Sequence, residues 1–232
     1  MKKIGLKEAL EIAARQGWFA SRTGEMQRTL GEIARVLQYE EGQAIYHFGD
    51  RTNGIFGLVD GAVEVRIPRA DGVDITIHRA EPGFWIGDLA FLSEQRRIIS
   101  LVAVAPTHVL HLPEPALVAL LKKEPAFYRD FYALSHLNTW LALQLLANLA
   151  VSGSVARIAL RLNIYLDSHP DQGDIIHLTH GQLAELVALS PPTVERGLKE
   201  LQDRGALELG YGRITVLDRE VLLDAISGRD KG

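Results

Sequence analysis

The chain has 232 residues, 47% apolar and 23% charged, enough for a packed core and long enough for two domains. With no cysteine it excludes a disulfide framework, a thiol nucleophile and a cysteine-ligated iron–sulfur cluster. The net charge of −4 excludes a global basic signature, so any nucleic-acid contact must rest on a local patch.

The opening MKKIGLKEALEIAARQG is too charged for a secretory signal, and no apolar run approaches the ~20 residues of a membrane span. A cytoplasmic protein that does not engage membranes is expected. Residues 6–16 and about 23–37 are predicted helices; Leu10, Ala13 and Ala14 share a face of the first, and Leu30, Ile33 and Leu37 share a face of the second. From Gln38 the pattern changes to short β-type runs: AIYHF, GIFGLV, AVEVRI, DITIHRA, ISLVAVA and HVLHL. Glu41-Gly42, Gly49-Asp50, Asp60-Gly61, Asp71-Gly72 and Pro82-Gly83 separate them, and Asp-Gly between apolar runs signals a hairpin. Val63 and Val65, with Ile75 and Ile77, alternate as half-buried strands should. An antiparallel β-roll or sandwich is predicted.

From Glu114 the period returns to 3.6, first in PALVALLKKEP and then from about Ala126 to Val151 without an internal Gly or Pro. The second segment carries Phe127, Phe131, Leu134, Leu137, Leu141, Leu145, Leu146 and Leu149 and no charge after Asp130. So apolar a helix fits a coiled-coil spine pairing with a second copy, or the central helix of a large monomeric core. Asn138 and Asn148 interrupt its apolar faces and are read as setting the register of pairing. Val151 to Ser154 reads as a hinge and domain boundary. Ser154 is expected to N-cap a helix with Val155, Ile158, Leu162 and Leu166 on one face, ending in the loop SHPDQGD.

The stretch LTHGQLAELVALSPPTVERGLKEL, 178–201, reads as two short helices joined by a tight turn. Thr179 is the N-cap of the first, with Gln182 as its capping-box partner; Ser190 is the N-cap of the second, with Pro191 at its first position. Val194, Leu198 and Leu201 make the buried stripe of the second helix, leaving Thr193, Glu195, Arg196 and Lys199 outside it. A short amphipathic helix presenting Arg and Lys behind a tight turn suits a DNA major groove; a plain helical hairpin is the alternative. A hairpin follows around Gly210-Tyr211-Gly212, with Arg213 at its base placed to reach phosphate. Asp218 caps a closing helix through Ile226. From Gly153 on, nine Lys/Arg face twelve Asp/Glu, so DNA contact there must come from a local patch, and this acidic balance is the best support for the rival reading of a protein-docking domain.

In this order and spacing the parts resemble the CRP/FNR family of bacterial transcription regulators. The resemblance runs from about Trp18 to Val216 and rests on GD…GIFGLVDGAVEV, PGFWIGDLAFL…RRIISLVAVAPTHVLHL, ARIALRL and the helix-turn-helix. It implies an α+β fold: an N-terminal antiparallel, jelly-roll-like β-roll with flanking helices (1–125), a dimerisation helix (126–151) and a C-terminal winged helix-turn-helix (152–232). It implies a homodimer reading a pseudo-palindromic operator on double-stranded DNA, with RNA polymerase as a further partner, and no enzymatic activity. Thr179, His180, Thr193, Glu195, Arg196, Lys199 and Arg213 would contact DNA. The family's helix pattern of Glu, two residues, Ser or Gly, then Arg is matched only by Arg196. Pro192 stands at the Glu position and Glu195 at the Ser/Gly position, where it either accepts from a cytosine amino group or pairs with Lys199. Ala188 occupies a turn position that is usually Gly.

The family's effector pocket maps onto Gly87, Asp88, Leu89, Arg97, Ile98, Ala142 and Leu143. In cyclic-AMP-binding members a Gly-Glu-Leu turn holds the ribose, an Arg followed by Ser or Thr holds the phosphate, and spine residues hydrogen-bond adenine. Here the acid is one methylene shorter, Ile98 lacks the hydroxyl, and Ala142 and Leu143 are apolar. Each missing partner costs about 1–3 kcal/mol, so cyclic AMP is not the expected effector. The alternatives for Arg97 and Asp88 are a surface arginine and a turn cap. A rival reading is a nucleotide- or haem-sensing roll whose C-terminal domain docks a protein. His47, His78, His108 and His111 lie in or beside the β-runs, but His108 and His111, three apart, point to opposite faces of one strand and cannot share a metal.

Overall fold

The computed structural model describes residues 3–168 and 173–227. The chain forms two compact units, one ending at Thr139 and one beginning at Trp140. Among the described residues no helix is long and apolar enough to cross a membrane.

The first unit opens with α1 (Leu6–Ala13), α2 (Gly17–Ala20) and α3 (Gly24–Ile33). Thr23 caps α3 by accepting a hydrogen bond from the Met26 amide at 3.2 Å. The predicted helix over 23–37 ends at Ile33, and Leu37 belongs to a strand, β1 (Arg35–Tyr39). There follow β2 (Ala44–Tyr46), β3 (Gly54–Asp60), β4 (Val63–Pro68), β5 (Asp74–Ala80), β6 (Trp85–Ile86), α4 (Asp88–Ser93), β7 (Ser100–Ala103) and β8 (Thr107–Pro113). Then come α5 (Glu114–Lys123), a 3-10 turn (Pro125–Phe127) and α6 (Tyr128–Ala150), which starts two residues later than expected and runs through the boundary between the units.

Two four-stranded antiparallel sheets result, ordered β1-β8-β3-β6 and β2-β7-β4-β5. Phe56, Leu58 and Val109 of the first sheet pack with Ile45, Tyr46, Val63, Val65 and Leu101 of the second. The alternate residues Ile55, Val59, Leu110 and Leu112 pack with Ala9, Leu30, Leu117 and Phe131 of the helices. Strand β3 is thus buried on both faces, which is why GIFGLV lacks a polar alternate. Gly57 is required there by close approach: a Cβ would overlap the ring of Trp85. Trp85 in turn stacks on Phe19 and meets the edge of Trp18. The β4–β5 hairpin departs from simple alternation. Val63, Glu64 and Val65 are all buried and Ile75 is exposed; Glu64 accepts from Arg66 at 2.7 Å and Thr76 at 3.1 Å.

The second unit holds the last part of α6, then α7 (Ser154–Ser168), β9 (Ile175–Ile176), α8 (His180–Val187), α9 (Pro191–Asp203), β10 (Leu207–Gly210), β11 (Arg213–Val216) and α10 (Arg219–Ser227). Ser154 is the first helical residue of α7 rather than a cap outside it. Residues 169–172 of the predicted loop lie outside the described residues. Ile158, Leu162, Leu166, Leu183, Val187, Val194, Leu198 and Leu201 share one core with Ile214 and Leu222. The β10–β11 hairpin is joined by β9 into a small antiparallel sheet.

Candidate nucleic-acid interface and effector pocket

The geometry of the second unit begins with its caps. Thr179 Oγ1 accepts from the Gln182 amide at 3.2 Å while the Gln182 side chain accepts from the Thr179 amide at 2.9 Å, a complete capping box on α8. Ala188 ends α8 in the left-handed region at φ 51°, so the tight turn is made without glycine. Ser190 takes the extended N-cap conformation, with Pro191 at the first position of α9, but its hydroxyl bonds Thr193 Oγ1 at 2.8 Å rather than a backbone amide.

Helix α9 buries Val194, Gly197, Leu198 and Leu201. Gly197 lets it lie close to α7: a Cβ there would stand 2.5 Å from Ile158 Cδ1. The opposite side carries Glu195, Arg196 and Lys199, all exposed, with Thr193 half-buried. Arg196 Nη2 donates a long bond of 3.4 Å to Thr193 Oγ1. Among the described residues no ion pair joins Glu195 to Lys199, so the pairing alternative for Glu195 is not realised. Thr179 is exposed and His180 half-buried at the start of α8. Arg213 is exposed opposite Gly210 in the β10–β11 hairpin, whose tip, Tyr211, is fully exposed. Free donors on one face of a helix docked behind a capped turn can bond base edges and phosphates together.

In the first unit the polar groups turn inward. Gly87 precedes α4 at φ 109°, and Asp88, the first residue of α4, is buried. Its carboxylate accepts from Ser135 Oγ at 2.5 Å and Asn138 Nδ2 at 2.7 Å, both on α6. Burial outweighs these bonds and raises the Asp88 pKa. Arg97 is buried, not the surface arginine of the alternative reading. It donates to Gly87 O at 3.2 Å, Asn53 Oδ1 at 2.9 Å and Gly54 O at 2.7 Å, and lies 4.2 Å over the Tyr46 ring. Leu89 and Ile98 are exposed. Ala142 and Leu143, also exposed, belong to the second unit. Asn53, Tyr46 and Ser135 had no sequence signal, because nothing local marks a partner forty residues away.

Asn138 and Asn148 do not serve as free polar positions for helix pairing. Asn138 is taken by Asp88 and by the Trp85 carbonyl at 3.1 Å; Asn148 is buried and donates to the Arg157 carbonyl at 2.7 Å. On β8, His108 is buried beside Asp60 with Nδ1 3.5 Å from Oδ2, and His111 stacks on Phe56 and donates to the Asn53 carbonyl at 3.0 Å. Among the described residues no three His, Asp or Glu side chains stand close enough to hold a metal.

Comparison with known proteins agrees with these two units. The cyclic nucleotide-binding domain family matches residues 36–124, and the Crp-like helix-turn-helix domain family matches residues 154–225. The chain is 28% identical to the cyclic AMP receptor protein of Thermus thermophilus over 207 residues, which covers 88% of this chain and 93% of the relative. It is 24% identical to the transcriptional regulator SdrP of the same organism, covering 87% of this chain and 98% of SdrP. Among solved structures it resembles FixK2 of Bradyrhizobium japonicum, with a TM-score of 0.71, 19% identity and coverage of 83% of this chain and 97% of that one. A CRP/FNR-family regulator of Thermus thermophilus is similar at a TM-score of 0.63 and 22% identity, covering 84% of this chain and all of that one. With a β-roll carrying the first match and a capped helix-turn-helix carrying the second, the chain belongs to the CRP/FNR family of transcription regulators.

Proposed function

We propose that the protein is a homodimer that reads a pseudo-palindromic operator in double-stranded DNA, with an effector other than cyclic AMP or with no small ligand at all. The observation that carries the DNA reading is the two-sidedness of α9: an apolar stripe sealed into the core, and Arg196 and Lys199 left exposed beside Thr193 and Glu195. Arg196 reads a guanine edge; Lys199, Arg213, Thr179 and His180 hold phosphate. Support for pairing comes from α6, the core of the 126–151 dimerisation segment, where Tyr132, Leu137, Trp140, Leu143, Leu146 and Leu149 are exposed. A second copy covers them and sets the two recognition helices about 34–36 Å apart. RNA polymerase is a further partner in this reading, and the cytoplasm its location.

The effector reading rests on Asp88 and Arg97, whose carboxylate oxygens and terminal guanidinium nitrogens are already engaged by protein, and on exposed, apolar Ile98 where a hydroxyl is wanted. The test is an electrophoretic shift with genomic fragments at two salt concentrations, with and without cyclic AMP. Binding that weakens with salt and ignores cyclic AMP is expected. No shift in either salt overturns the DNA reading; a shift that needs cyclic AMP overturns the effector reading.

A further inference from the structure

The sequence reads the junction between α6 and α7 as a hinge, and Val151–Gly153 has no regular structure. It is nevertheless held shut by one side chain. Arg157, half-buried in the first turn of α7, donates from Nε and Nη2 to the Val151 carbonyl at 3.0 and 2.7 Å. From Nη1 it donates to the Val187 carbonyl at 3.3 Å. Val151 follows the last residue of α6, and Val187 is the last residue of α8, immediately before the left-handed Ala188 that turns the chain into α9. The amides of Ala188 and Leu189 bond the Ala184 and Glu185 carbonyls, which leaves the Val187 carbonyl to Arg157. One guanidinium therefore serves the carbonyl ends of two helices, where orphan acceptors and the helix dipoles favour a cation. Asn148, fully buried on α6, completes the arrangement by bonding the Arg157 carbonyl.

We infer that Asn148 and Arg157 are positioning residues: they lock the end of α6 to the turn of the helix-turn-helix and thereby fix the half-site spacing the protein accepts. This rests on the dimeric operator reading above. A local cap would need only the Val151 carbonyl; the bond to Val187, thirty residues away, ties the reading head itself. Neither residue touches DNA in this reading, so their loss changes the geometry of two-headed binding and not the contacts of either head. Two heads joined at a fixed distance gain avidity only on sites of matching separation.

The test uses the full-length protein and synthetic duplexes carrying two identical half-sites at the preferred separation, or one or two base pairs closer or farther. A single half-site duplex serves as reference. Wild type is expected to prefer its best spacing by at least about ten-fold, and Arg157→Ala to narrow that preference to about three-fold or less while single half-site affinity stays near wild type. Arg157→Lys, whose ammonium cannot hold both carbonyls as the guanidinium does, should fall between them; it carries the test if Arg157→Ala does not fold. Asn148→Ala should move in the same direction. An Arg157→Lys or Arg157→Ala protein that keeps the full wild-type spacing preference overturns the inference. So does a variant that loses single half-site binding as steeply as paired binding. Wild type that binds every spacing alike overturns the dimeric operator reading itself.

Discussion

The roll and the reading head treat polar side chains in opposite ways. In the roll, Asp88 and Arg97 are sunk below the surface and answered by protein: Asp88 by Ser135 and Asn138, Arg97 by Gly87, Asn53 and Gly54. In the head, Arg196, Lys199 and Arg213 stand in solvent with little to hold them. A buried charge that loses its partners costs several kcal/mol, whereas an exposed one loses almost nothing when alone. Polarity in the roll therefore maintains structure, and polarity in the head remains free for a partner.

Substitutions can break that contrast. The largest effect is expected from Arg97→Met, which strands three acceptors around a buried site and should destabilise the first unit by about 3 kcal/mol. Chemical denaturation followed by tryptophan emission checks it; an unchanged midpoint would show that Arg97 is not a structural keystone. Next comes Gly57→Ala, where the added methyl meets the Trp85 ring and should cost about 1–3 kcal/mol in the same assay. In the head, Arg196→Ala should leave the melting temperature unchanged but remove about 1–3 kcal/mol of discrimination between operator variants. Lys199→Ala should instead weaken all sequences alike and flatten the salt dependence by about one unit of slope.

The smallest effect is one of pH. Burial raises the Asp88 pKa in the folded state, so the native protein holds that proton more tightly than the unfolded chain. The resulting stabilisation is present below the ordinary carboxylate range and is lost as pH rises through the raised value. Asp88→Asn should abolish that decline, seen as a flatter plot of unfolding midpoint against pH than wild type gives.

What the sequence disclosed follows the same division. The head was legible because its signals are local: Thr179 with Gln182 three residues on, Pro191 at a helix start, and a stripe of Val194, Leu198 and Leu201. The strands of the roll were marked by the glycines between them; Gly42, Gly49, Gly61, Gly72 and Gly83 all adopt left-handed φ. Strand β1 was hidden because Leu30, Ile33 and Leu37 continue a helical spacing into residues that pair with β8 instead. That is a long-range pairing overriding a local pattern. The two-residue strands β6 and β9 are too short to show any period. Asn138 and Asn148 were visible as polar interruptions, but their partners, fifty and nine residues away, were not. The inward engagement of Arg97 was invisible for the same reason.

The placement of the three tryptophans gives the molecule a built-in optical gauge. Trp18 and Trp85 are 3% and 2% exposed within the first unit, whereas Trp140 on α6 is 56% exposed. Emission from the first two should stay blue whatever the concentration, leaving Trp140 as the lone red component in a dilute solution. Shielding of that indole by a second α6 would draw the spectrum toward shorter wavelengths as concentration increases, and the midpoint of that drift would read out the strength of self-association without any label.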